Sequence, residues 1–224
     1  MIPLRDTNPS QTTPVVNYLI IGLNVLVFAT QFLMGDFGEE LYYYFGVVPA
    51  RITGAIEYGD VAPISFITLF TSMFLHGGLW HLLGNMLFLY VFGDNIEDRL
   101  GHFRYLVFYL IAGIAAAGTQ VFINPASEIP MVGASGAIAG VLGAYILLYP
   151  TARISTLIPL IIIFQVIELP AFIFLGLWFA MQIFSGVMSL GIGGDAGGVA
   201  WWAHIGGFAA GAVMLPVMKK RRRW

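Results

Sequence analysis

The stretch "MVGASGAIAGVLGAYILLYPTAR", residues 131–153, runs from Met131 to Ala152 without one charged side chain. Such a run belongs in hydrocarbon, where a helix is the simplest structure that satisfies every backbone polar group internally. Ser135 stands near its head between Ala134 and Gly136, while Pro150 and Arg153 mark its foot. That serine has two readings. It is a small side chain that lets two helices touch, or it is a reactive hydroxyl held inside a membrane.

The rest of the chain has the same character. Of 224 residues, 58% are hydrophobic and 10% charged, and the mean hydropathy is +0.84, which marks a polytopic membrane protein of all-α class. A ruler of about 20 apolar residues per span predicts six transmembrane helices, at 15–34, 79–96, 105–122, 135–149, 171–190 and 201–218. Residues 64–75 and 154–167 are apolar but only about a dozen long, so they read as re-entrant or interfacial segments. The second of these is interrupted by Pro159 and followed by Glu168 and Pro170. Residues 1–14 are polar, and the first apolar segment is long enough to span and lacks a small-residue cleavage site, so it is expected to stay as the first helix.

With those two short segments excluded, Arg5, Arg99, Arg104, Arg153 and the tail from Lys219 to Arg223 fall on one side, and only Arg51 on the other. The positive-inside rule then puts the short N-terminus (1–14) and the basic tail (219–224) in the cytoplasm. The first external loop, residues 35–78, carries Asp36, Glu39, Glu40, Glu57 and Asp60 and is long enough to have structure of its own. No internal repeat appears, so residues 1–224 read as one domain. The chain has no cysteine and a net charge of −2, which excludes thiolate chemistry and gives no reason to expect a nucleic-acid partner. No HExxH, Walker loop or dinucleotide fingerprint is present, and His76 and His81 lack a carboxylate partner, so neither metal nor cofactor is expected.

Polar groups inside spans are costly to bury, which makes His81, Asn85, Ser135 and His204 the informative set. His81 and Asn85, in "HLLGN", are four residues apart and project from one helix face. They are either two donors aimed at one developing oxyanion or a hydrogen-bonded clasp between helices. Ser135 lies about 15 residues from the Pro150 boundary and His204 about 15 from the Lys219 boundary, roughly 22 Å each at helical rise. At one depth, a hydroxyl and an imidazole form the nucleophile and general base pair of acyl transfer. Ser135 also heads a helix, where backbone N–H groups favour an oxyanion. Gly136 and Gly140 beside it, and Gly207 and Gly211 after His204, form two small-xxx-small faces that allow backbone-to-backbone packing.

These segments, "HGGLWHLLGNMLFLYVFGDNIEDRLG", "GASGAIAG" and "AHIGGFAAG", resemble in order and spacing the signature segments of the rhomboid intramembrane serine proteases. The resemblance runs from the first span to the last, and six helices is the compact form of bacteria and archaea. It implies a protease of the plasma membrane whose site opens to the external face. In it, Ser135 is nucleophile, His204 general base, and His81 with Asn85 the oxyanion stabilisers together with the Ser135 N–H. The implied machinery is a dyad without a third acidic member, and the implied partners are transmembrane protein substrates and the lipid bilayer. Glu97 and Arg99, in "EDRLG", resemble the family's Glu-x-Arg element, read either as an ion pair or cap at the end of the second helix or as a solvated charge pair. The first loop resembles a membrane-dipping loop, and residues 191–198, "GIGGDAGG", a flexible cap. The fifth helix, with Phe172, Phe174, Trp178, Phe179 and Phe184, resembles a lateral gate, although aromatics are equally expected on any lipid-facing helix.

Two positions depart from the pattern. Ile67 and Thr68 stand where some members carry a Trp-Arg pair, and Ala139 stands where some carry a tyrosine stacked on the catalytic histidine. What orients His204 is thereby left open, with Trp201 and Trp202 as neighbours in sequence. Two rival readings remain: an inert rhomboid-like protein that binds or escorts transmembrane clients, and a small transporter or channel. The first lacks a nucleophile or base as a rule, and the second predicts charged or repeated pathway residues, which this chain does not show.

Overall fold

Prolines and glycines punctuate the chain, and the elements begin and end on them. The structure is a computed structural model that describes residues 1–59, 63–160, 163–191 and 198–219. Strand β1 (Ile2–Asp6) is followed by helix α1 (Val15–Leu33), which starts after Pro14. The long loop folds into α2 (Asp36–Phe45), α3 (Pro49–Tyr58), α4 (Pro63–Thr71) and a 3₁₀ turn (Ser72–Phe74). Then come α5 (Leu79–Leu100), α6 (His102–Ile123) and α7 (Ser135–Leu148). Strands β2 (Arg153–Leu160) and β3 (Ile163–Pro170) precede α8 (Ala171–Gly191) and α9 (Trp201–Met218). Most of the stretch expected to cap the site, the tail beyond Lys219, and Asp60 lie outside the described residues.

The protein is an all-α polytopic membrane fold with one small sheet at an end of the bundle. Helices α1, α6, α8 and α9 are long and apolar enough to cross a membrane, and α5 qualifies together with the α4 segment as a pair bent by 81°. Helix α7, with 14 residues, is about 21 Å long and shorter than a bilayer core. Length and composition therefore support four to five spans, against the six expected. The difference is α7, which is apolar around its whole circumference: Ala137 through Tyr145 are all buried. A helix apolar on every side belongs in the centre of a bundle, and α7 packs against α5, α6, α8 and α9.

The segment 154–167, expected to be re-entrant or interfacial, is instead β2 and β3, paired antiparallel from Arg153↔Pro170 to Leu160↔Ile163. Its β-branched residues favour a pleated surface. Pro159 is tolerated because β1 pairs β2 only from Ile154 to Leu157, so the edge beside Pro159 needs no donor. Thus the polar N-terminus is not a bare tail: residues 2–6 complete the sheet.

At this same end the Glu97 carboxylate, fully buried, accepts the backbone N–H groups of Val16 (2.9 Å) and Asn17 (2.7 Å). It thus caps the otherwise orphaned first turn of α1 and suits the positive end of that helix. Among the described residues its further side-chain partner is His102 of α6, whose Nδ1 lies 2.5 Å from Glu97 Oε1, rather than Arg99, so Glu97 acts across helices. Asn17 continues the tie, donating to the Leu89 carbonyl (3.0 Å) and accepting from the Tyr105 hydroxyl (2.7 Å). Arg104 reaches the Met218 carbonyl (3.3 Å), which brings the foot of α9 to the same end as β1.

Asp6 accepts hydrogen bonds from Tyr145 and from Asn95 (3.1 Å). Burial raises its carboxyl to about 6, aided by the nearby Asp94 and opposed by the Tyr145 bond. A carboxyl raised on folding takes up a proton, so this contribution favours the fold at pH below about 4 and is lost as pH rises to 6. Asp6→Asn is therefore expected to unfold at a temperature at or above that of the native chain at pH 7.5, with the advantage vanishing at pH 4. A variant less stable than native at pH 7.5 and no closer to it at pH 4 contradicts the assignment.

Candidate active site

Glycine placement brings the site together. Helices α7 and α9 touch through backbone, because a β-carbon at Gly207 would overlap the Gly136 carbonyl and one at Gly211 the Gly140 carbonyl. A third position, Gly143, meets the Phe208 carbonyl in the same way. Gly136 and Gly140 also face Ala116 and Ala112 of α6. Small residues let the three helices approach to backbone distance, the main packing device where lipid gives no hydrophobic drive between helices.

Across that contact, near the heads of α7 and α9, His204 Nε2 lies 2.8 Å from Ser135 Oγ. The residues are 69 positions apart, both half-buried, and both line a cavity of about 770 Å³. His204 Nδ1 lies 2.7 Å from Gln182 Oε1 of α8. The imidazole is flanked by Trp178, whose ring centroid is 5.9 Å away at 36°, and by Trp201, 6.3 Å away and edge-on. Gln182 was missed in the sequence, where it is a lone amide in an aromatic-rich span.

His81 and Asn85, on one face of α5, line the same cavity. The backbone N–H of Gly77 approaches His81 Nδ1 at 3.4 Å, which leaves Nε2 as the protonated nitrogen. The Asn85 amide nitrogen is buried and has no hydrogen-bond partner among the described residues. Both aim at the backbone just before Ser135: a β-carbon on Gly133 would fall 2.8 Å from His81 Nε2 and 3.6 Å from Asn85 Nδ2. Gly133 has φ +125°, a conformation that favours glycine, and its N–H donates to the Ser72 carbonyl at 2.9 Å. The peptide leading into Ser135 is thereby fixed beside two donors. Ser135 itself begins α7, whose first N–H groups have no partner within the helix.

The first loop supports α5 from the side. The Tyr42 hydroxyl donates to the His76 carbonyl (3.0 Å), Gln31 Oε1 accepts the His76 N–H (3.2 Å), and the His76 ring lies edge-on to His81 at 5.1 Å. Thr68, one of the two departures, bonds locally to the Ser65 carbonyl (2.6 Å). The site therefore sits at the bundle end away from the sheet, below the bend between α4 and α5.

A bundle of apolar helices of this kind, enclosing a largely apolar cavity into which a few polar side chains reach, defines an integral membrane protein. The chain belongs to the rhomboid family: residues 63–221 match the Rhomboid domain. It is 33% identical over 211 residues to "Rhomboid protease GluP" of Bacillus subtilis, covering 91% of this chain and 36% of that protein. It is 30% identical over 168 residues to "Rhomboid protein 1, mitochondrial" of Saccharomyces cerevisiae, covering 71% of this chain and 45% of that protein. A match of 35% over 94 residues to "RHOMBOID-like protein 5" of Arabidopsis thaliana covers 42% of this chain and 30% of that protein. The chain thus spans between about a third and under half of the length of these relatives.

Proposed function

We propose that this chain is an intramembrane serine endopeptidase that cleaves peptide bonds in or near transmembrane segments of other membrane proteins, with Ser135 and His204 as its dyad. The observation that carries the reading is the 2.8 Å hydrogen bond between His204 Nε2 and Ser135 Oγ beside the cavity. His204 takes the hydroxyl proton as Oγ attacks the scissile carbonyl, and returns it to the departing amine. The oxyanion meets the unpartnered Asn85 amide, His81 Nε2–H and the backbone N–H at the head of α7. Water then attacks the acyl-enzyme through the same base and frees Ser135. A substrate helix must loosen near the cut, because a regular helix keeps its carbonyls in hydrogen bonds.

In this reading residues 1–224 form one domain with six membrane-embedded helices, α7 being the short central one. Arg5, Arg99, Arg104, Arg153 and Lys219 face the cytoplasm of a prokaryotic plasma membrane. The site then opens to the external face, where water enters.

The test is proteolysis by the purified chain in liposomes, using a fluorogenic transmembrane peptide with helix-breaking residues near its centre. Cleavage, blocked by a fluorophosphonate that attaches to Ser135, is the expected result. Binding of such peptides without cleavage, and no labelling, would favour the inert escort instead. Asn85→Ala is expected to lower kcat about 10²- to 10³-fold with KM little changed, the cost of one oxyanion donor. Its thermal midpoint should stay near native, since the amide nitrogen it removes has no hydrogen-bond partner among the described residues to lose. An unchanged kcat would remove Asn85 from the chemistry.

A further inference from the structure

Helix α8 contributes a polar side chain that the dyad chemistry above does not use. Gln182 is only 4% exposed, and both ends of its amide are engaged. Its Nε2 donates to the Trp178 carbonyl four residues earlier at 3.2 Å, and its Oε1 lies 2.7 Å from His204 Nδ1. A carbonyl accepts only, so the Trp178 bond fixes which way the amide points: nitrogen to Trp178, oxygen to the imidazole. An amide oxygen also accepts only, so the nitrogen facing it must carry the hydrogen. The other ring nitrogen is then bare and turned to the serine hydroxyl.

We propose that Gln182 is the positioning residue of His204, the third member of a Ser-His-Gln relay, which holds the base in its Nδ1–H tautomer. This inference rests on the protease reading for its kinetic consequence, though not for its structural one. The relay runs in a single direction: Ser135 O–H to His204 Nε2, His204 Nδ1–H to Gln182 Oε1, Gln182 Nε2–H to Trp178 O. Trp178 adds a second restraint, its ring centroid lying 5.9 Å from the imidazole at 36°, while Trp201 of α9 itself stands edge-on at 6.3 Å. Gln182 and Trp178 both come from α8, whereas nucleophile and base stand on α7 and α9.

Two measurements test this. In the native chain labelled with ¹⁵N-histidine, the His204 signals, assigned by their loss in His204→Ala, are expected to show a protonated Nδ1 and a bare Nε2. An Nε2-protonated tautomer overturns the proposal. In the cleavage assay, Gln182→Met keeps the volume and loses the acceptor, and is expected to lower kcat about 10- to 100-fold with KM unchanged. Gln182→Glu keeps an acceptor and should recover activity to within several-fold of native. Full activity in Gln182→Met, or equal impairment of the Glu variant, also overturns it. If Gln182→Met fails to fold, the native tautomer and the Glu variant still decide. A native chain that cleaves nothing while showing the Nδ1–H tautomer defeats the protease reading and leaves the positioning intact. An active chain with the other tautomer defeats the positioning alone.

Discussion

Ser135→Ala, His204→Ala and the double variant are expected to fall to one common background in peptide cleavage, at least about 10³-fold below native. The equality is the sharper part of the expectation. A nucleophile and its base act as a unit: without the hydroxyl there is nothing for His204 to deprotonate, and without the base the hydroxyl is a poor nucleophile. Losses that multiply in the double variant would mean two independent contributions, such as two packing defects. Ser135→Ala removes one oxygen from a half-buried position, so its thermal midpoint should shift by no more than a few degrees. Retention of cleavage by Ser135→Ala would end the assignment, whatever His204→Ala does.

Much of this architecture is legible in the chain because its causes are local. Pro14 before α1, Gly101 between α5 and α6, and Pro170 before α8 set helix boundaries that a hydropathy ruler also finds. His81 and Asn85 share a helix face by arithmetic alone. The similar depth of Ser135 and His204 follows from counting back to Pro150 and to Lys219. What is not legible depends on partners far away in sequence. Gln182 meets His204 across two helices and a segment outside the described residues, and nothing periodic marks it. The only local signal is its amide, polar in a span otherwise rich in aromatic side chains. Glu97 finds its amide partners 80 and 81 positions earlier, which is why a near neighbour, Arg99, looks like its partner in the sequence. β1 pairs with a strand some 150 residues on, so the polar start of the chain reads as a tail. The length ruler misreads residues 154–167 for a different reason: a dozen apolar residues fit a short membrane segment and a strand pair equally, and only the pairing separates them.

Gly207→Ala and Gly211→Ala are expected to disable the protein by a route that touches no reacting atom. A β-carbon at either position would sit on a carbonyl oxygen of α7, that of Gly136 or that of Gly140. Backbone cannot rotate away as a side chain can, so the two helices must part. Overpacking of this kind costs about 1–3 kcal/mol or more, and thermal unfolding in detergent should register a drop of several degrees for each variant. The kinetic loss should be larger than the stability loss. His204 stands on α9 one turn before the contact at Gly207, and Ser135 stands beside Gly136, so separation acts directly on a 2.8 Å hydrogen bond. Proton transfer needs the heavy atoms within about 2.6–3.2 Å, and a shift of 1 Å costs about 10²-fold. Gly118→Ala on α6 and Gly176→Ala on α8 supply the contrast, since among the described residues nothing beyond their own helix turn lies within 4 Å of a β-carbon at either. Alanine there should be neutral or slightly stabilising, as expected from helix propensity. If all four variants behave alike, glycine content rather than the α7–α9 contact governs the fold. If only Gly207 and Gly211 fail, the two small-residue faces hold the serine and the histidine at bonding distance.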